Sequence, residues 1–101
     1  MKTIRNRYIL FEIISDEEIG YEEFRKSFLN VCFSLLGELD YKNANILILE
    51  NEFKGRKGII KCSHKYVDPV KLGLGLLREI NGKKVIVQSL KVSGTLKSLK
   101  R

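Results

Sequence analysis

Residues 4–14, IRNRYILFEII, set the tightest limit on how this chain can fold. The run has no Gly or Pro and is rich in β-branched and aromatic side chains, so it reads as a strand. Neither parity is polar throughout. One carries Arg5, Arg7, Ile9, Phe11 and Ile13; the other carries Ile4, Asn6, Tyr8, Leu10, Glu12 and Ile14. A strand apolar on both sides belongs in the middle of a sheet, with both faces at least partly covered.

The elements that follow supply one cover. Acidic residues 15–18 lead into a helix over residues 21–36, because carboxylates favour a helix N-terminus. Phe24, Phe28, Val31, Cys32, Leu35 and Leu39 recur at spacings of three and four and form the expected buried stripe. Gly37 and the segment 38–40 end that helix. Residues 45–50 and 56–64 read as two strands of a hairpin around a turn at 51–55. Asp68-Pro69 opens a second helix that continues through Val70, Leu74 and Leu77 to Ile80, where Asn81-Gly82 stops it. Gly73 and Gly75 weaken it by about 1 kcal/mol each, which suggests a close backbone neighbour. Residues 84–92 form a fourth strand. Leu96 and Leu99 give the tail one helical turn with an apolar side.

The order βαββαβ predicts an α+β, ferredoxin-like or RRM-like two-layer sandwich: a four-stranded antiparallel sheet, two helices on one face and a short C-terminal tail helix. The 101 residues make one domain, with a basic tail at 93–101. Something must cover the first strand's second apolar face. The tail helix, a second copy and a different protein are the candidates.

Charge is segregated along the chain. Residues 1–52 hold six basic and ten acidic side chains, a net of −4, whereas residues 53–101 hold thirteen and two, a net of +11. Residues 83–101 alone hold six Lys or Arg and no acidic side chain. A solubility field needs no such segregation, so a basic partner surface is expected from the second half. Cys32 and Cys62 lie in apolar runs without metal-ligand spacing and read as core residues of a reducing compartment. No apolar run approaches a membrane span, and the start MKTIRNRY shows no signal-peptide pattern. A cytoplasmic protein without membrane contact is expected.

No catalytic or metal site is expected. His64 is the sole histidine and has no nucleophile partner in sequence. Gly73 and Gly75 lie inside a helix, not in a phosphate loop. RRM domains stack bases on aromatics of their first and third strands, but the third strand here reads Gly58-Ile59-Ile60-Lys61-Cys62. Binding would then run through Lys and Arg to RNA phosphates. Two other readings remain: a ferredoxin-like regulatory or small-ligand-binding dimer, and a metal-dependent nuclease using acids such as Glu12 or Asp40.

RYILFEI near the start, LGEL after the first helix, GIIKC on the third strand, and VDPVKLGLGLL with INGKKVIVQSLKVSGTLK to the end carry a family likeness. Over nearly the whole chain the sequence resembles the archaeal ribonuclease P protein component 2 family. VSGTLK with the basic strand before it is the most specific piece. The likeness implies a subunit that helps a catalytic RNA remove the 5′ leader of precursor tRNA. It implies pairing with ribonuclease P protein component 3, with two pairs forming a heterotetramer on the RNA's catalytic domain. It places the chemistry on the RNA and its Mg²⁺ ions, with no cofactor bound by the protein. One departure is the tail, which ends seven residues after Gly94 where members of that family often run further.

The expected RNA-binding set is Arg5, Arg7, Arg56, Lys57, Lys61, Lys83, Lys84, Lys91, Lys97, Lys100 and Arg101. The expected protein-partner surface is Tyr8 and Phe11 on the first strand, with Leu96 and Leu99 in the tail.

Overall fold

The computed structural model describes residues 5–54 and 56–100. Ile4, Gly55 and Arg101 lie outside the described residues. The elements run β1 (Asn6–Ile14), α1 (Tyr21–Ala44), β2 (Leu47–Ile48), β3 (Lys57–Ser63), α2 (Val67–Leu76), β4 (Glu79–Ile80), β5 (Lys83–Lys84), β6 (Ile86–Ser93) and α3 (Leu96–Leu99). Four strands form one antiparallel sheet in the order β2-β3-β1-β6. The strand with two apolar parities is therefore central, and the fold is the α+β, ferredoxin-like sandwich.

Period-two alternation splits β1 between two environments. Ile9, Phe11 and Ile13 are buried under α1 and α2. There Phe11 stacks on Phe24 with ring centroids 4.8 Å apart, and Phe24 stacks on Phe28 at 5.6 Å. Gly58 sits opposite Phe11 in the ladder, and a Cβ there would fall 2.5 Å from the Phe11 ring. The GIIKC glycine is thus required by an aromatic ring lying across the backbone. Cys32 and Cys62 are free and buried in this core. Burial pushes their thiols up to about 12 and about 11 respectively, so both stay protonated and act as small apolar groups.

Four sequence expectations are corrected. First, α1 does not stop at Leu36: Gly37 takes φ 83° and ψ 172°, breaks the helix, and a further helical segment runs on to Ala44. The break rotates the stripe out of register, so Leu35 is exposed and Leu39 is 71% exposed. Second, α2 ends at Leu76, not Ile80. Third, Asn81 (φ 51°) and Gly82 (φ 80°) are the tight turn of the β4–β5 hairpin. Two consecutive positive φ values are what a two-residue hairpin turn needs, and Asn-Gly supplies them. Fourth, Gly73 has a close neighbour but Gly75 has none. A Cβ on Gly73 would meet the Cys32 sulfur at 3.2 Å, and one on Gly75 would meet nothing within 4 Å.

The second face of the sheet is crossed by α3. This single turn packs on β6 and β1. Its N-cap Thr95 accepts a hydrogen bond from the Ser98 N–H at 3.3 Å. Ile59 and Leu99 are both buried yet lie outside the main core, which marks where the tail helix seats. Of the covers expected for β1, the tail helix supplies part.

Candidate nucleic-acid interface

Register decides which cations share a face. On β1, Tyr8, Leu10 and Glu12 point away from the helices. Opposite them stand Lys61 (to Tyr8) and Lys57 (to Glu12) on β3, and Lys91 (to Leu10) on β6. Lys61 and Lys91 flank β1 on its two sides, so their backbones lie two strand spacings apart, about 10 Å. A register shift between Leu10 and Phe11 puts Leu90 out as a bulge residue on β6. That extra residue keeps Lys91 on the lysine face while Val87 stays in the core.

The tail helix adds Lys97 and Lys100, both exposed, to this same side. It is held by two polar contacts. Lys100 Nζ lies 3.1 Å from the Glu52 carboxylate, on the short 3-10 turn after β2, and Lys91 Nζ donates to the Ser98 carbonyl at 3.3 Å. Glu12, also on this face, accepts from Gln88 Nε2 at 3.4 Å.

The remaining expected RNA contacts are placed elsewhere. Lys83 lies on the opposite side, against the N-terminus of α1. Its Nζ bonds the Glu23 carboxylate and the Glu18 carbonyl, each at 3.1 Å. Glu23 also accepts from the Gly20 N–H at 2.7 Å and from Asn81 Nδ2 at 2.9 Å. The Gly20 bond, then Asn81 and Lys83, hold the Glu23 carboxyl well below the ordinary 4.5, at about 2. Lys83 is therefore a structural clip with its charge compensated. Arg56 sits at the turn into β3 and donates to the Ser15 carbonyl. Arg7 is half-buried on the helix-side parity and donates to the Asn6 carbonyl at 3.0 Å; Arg5 is exposed at the entry to β1. Lys84 rims a depression of about 520 Å³ at the far end of the sheet, with Ile14, Asp16, Arg78, Glu79 and Ile86. The eleven expected cations do not form one patch. Five of them do: Lys57, Lys61, Lys91, Lys97 and Lys100.

The expected partner residues are also sorted. Phe11 has no exposed surface and Leu99 is 5% exposed, so both serve this chain's own packing. Tyr8 and Leu96 are half-buried at the lysine face. The exposed apolar surface that the sequence reading missed is on the helices: Phe33, Leu35, Leu39, Leu72 and Leu76. Leu35 and Leu76 line a groove of about 410 Å³ with Val31, Asn30 and Ser34. Leu72 and Leu76, four apart and off the Val70–Leu74 stripe, were the signal for it.

The acids of the nuclease reading do not converge. Glu12 is on the lysine face, whereas Asp40 lies on the helix layer and accepts from the Tyr66 hydroxyl at 3.0 Å. Among the described residues no group of three or more His, Cys, Asp or Glu is placed to hold a metal ion.

A family model described as the Rpp14/Pop5 family matches residues 7–101. The chain belongs to this family. It is 38% identical over 97 residues to ribonuclease P protein component 2 of Pyrococcus abyssi, covering 96% of this chain and 82% of that protein. The protein of the same name from Methanosarcina mazei is 38% identical over 93 residues, covering 92% and 78%. Among solved structures, a chain of the cryo-EM structure of yeast ribonuclease MRP superposes with a TM-score of 0.73 at 15% identity, covering 95% of this chain and 79% of that one. That likeness concerns the fold alone.

Proposed function

We propose that this Rpp14/Pop5 chain is a non-catalytic, RNA-binding subunit of ribonuclease P that assists a catalytic RNA in removing the 5′ leader of precursor tRNA. The observation that carries the reading is family membership over residues 7–101, joined to one lysine face free of aromatic stacking platforms on β3. Each phosphate neutralised there releases condensed counterions, a favourable term that falls as salt rises. Ammonium groups set on a rigid sheet screen repulsion between RNA strands that must approach each other. The chemistry in this reading belongs to the RNA and its Mg²⁺ ions.

The helix layer is the surface offered to a protein, here ribonuclease P protein component 3, in two pairs. Exposed Leu35, Leu39, Leu72 and Leu76 support that assignment, because large apolar side chains gathered on one surface mark association sites.

The test is binding of the ribonuclease P RNA over a range of salt by wild type and by the triple variant Lys57→Glu, Lys61→Glu, Lys91→Glu. The log–log slope flattens by about 2 to 3 in the variant, at roughly 0.7–0.9 per phosphate contact. An unchanged slope removes this face from the interface. The purified protein alone cleaves no precursor tRNA, with or without Mg²⁺. Cleavage by an RNA-free preparation overturns the non-catalytic assignment.

A further inference from the structure

The lysine face and the helix that lies on it make conflicting use of the same ammonium groups. Lys91 is turned to the Ser98 carbonyl and Lys100 to the Glu52 carboxylate, so two of the five cations are engaged inside the molecule. Both engagements exist only while α3 is seated. We propose that α3 is a displaceable cover over the sheet's lysine face, latched by the Lys100–Glu52 pair and Leu99, and that RNA phosphate opens it. The inference rests on the RNA-binding reading and adds to it a closed and an open state.

The seat is weak by its own composition. A helix of four residues cannot hold itself together, because nucleating a turn fixes several dihedrals for one hydrogen bond. Tertiary contact must supply the rest, and one leucine and one ion pair provide it. The Lys100 side chain is half exposed, where such pairs are screened and contribute little. The path back to β6 runs through Ser93-Gly94-Thr95; Gly94 is exposed, and this segment is short enough to act as a hinge. By contrast, nothing beneath α3 depends on it for the main core, since Leu99 and Ile59 lie outside that cluster.

Phosphate is the occupant that the charges fit. Glu52 holds Lys100 as an internal anion in the position an RNA oxygen would take. Opening frees Lys91 and Lys100, uncovers Tyr8 and Leu10 between Lys61 and Lys91, and keeps Lys97 and Lys100 tethered nearby. Affinity for RNA is then reduced by the fraction of molecules that are closed, and weakening the latch raises it.

The experiment compares wild type, Leu99→Ala, Glu52→Gln and Glu12→Gln in the full chain. Binding of a fluorescent single-stranded oligouridylate of about twenty nucleotides is measured by anisotropy, and exchange of the Ser98 and Lys100 amides by NMR. Glu12→Gln removes one acid from the same face without touching the latch, so it reports the plain charge effect. Leu99→Ala tightens binding by about threefold to tenfold. Glu52→Gln tightens it by up to about fivefold, and by more than Glu12→Gln. In wild type, the two amides exchange faster when RNA is added. Equal effects of Glu52→Gln and Glu12→Gln, unchanged or weaker binding by Leu99→Ala, or amides better protected in the complex each overturn the cover. Absence of salt-dependent binding by every variant overturns the RNA-binding reading itself. A folded far-UV spectrum of Leu99→Ala guards its result, and Glu52→Gln, a surface change, carries the test without it.

Discussion

On the helix side of the sheet, Phe11 lies 4.8 Å from Phe24, and every large side chain around it is buried. One residue away along the same strand, Leu10 and Glu12 face lysines and a single turn of helix. The two faces share a backbone and differ in what holds them. The first is fixed by close-packed apolar volume, which tolerates neither a gap nor an added methyl group. The second is held by one buried leucine and long, solvated ammonium groups. The same strand thus gives its stability to one side and leaves the other free to exchange partners. The contrast locates function where the packing is poorest.

The sharpest way to break that contrast is to delete side chains from each face. Phe11→Ala loses about 3–5 kcal/mol of folding free energy, the cost of a large aromatic removed from a core that cannot collapse. Leu99→Ala lowers the urea midpoint by less than half as much, because it releases only α3. Comparable losses in the two variants would mean that the tail helix belongs to the cooperative core.

Gly58→Ala sharpens the same point from the opposite direction. A methyl group there meets the Phe11 ring at 2.5 Å and Phe53 at 3.1 Å, so one ring or the strand must shift. Overpacking of this kind costs about 1–3 kcal/mol. Gly75→Ala, with nothing within 4 Å, gains helix propensity and leaves the protein at least as stable. Urea denaturation of the pair checks both signs. A neutral Gly58→Ala would show that the helix side has slack.

Acid titration probes the clip that joins the helix layer to the β4–β5 hairpin. The Glu23 carboxyl is lowered from 4.5 to about 2 by the Gly20 N–H, Asn81 and Lys83. A depressed folded value means the unfolded chain binds the proton first as pH falls. The stabilisation is therefore complete above about pH 4.5 and is lost as pH falls towards 2. Wild type weakens through that window, and Glu23→Gln shows a shallower decline there. Identical pH profiles for the two would remove Glu23 from the clip.

How much of this was legible in the sequence follows from which face a residue serves. The central strand, the Phe24–Phe28 stripe and the order of elements could be read because burial imposes a period. Gly58 was visible as a motif, but its reason, a ring across the ladder, is a tertiary fact. The lysine face could be read only in part. Charge segregation pointed to the second half of the chain, yet sequence distance does not say that Lys83 turns to Glu23 while Lys91 turns outward. The Asn81-Gly82 turn was misread because a helix stop and a hairpin turn use the same two residues. Leu35 and Leu39 were misassigned because the Gly37 break shifts phase within an unbroken apolar pattern. Partner surfaces carry no period of their own, so Leu72 and Leu76 show only as leucines off the stripe.

The finest test separates two lysines that the sequence treats alike. Lys61 stands on the lysine face opposite Tyr8, and Lys83 is bound to Glu23 and the Glu18 carbonyl. Lys61→Gln lowers the salt slope of RNA binding by about 0.7–0.9 and leaves stability within about 0.5 kcal/mol. Lys83→Gln does the reverse: the slope is unchanged, and the protein unfolds at lower urea because Glu23 loses a partner. Charge number is the same in the two variants, so net electrostatics cannot explain a difference between them. If both lower the slope equally, RNA senses only the total charge of the molecule, and the distinction between its two sides has no bearing on binding.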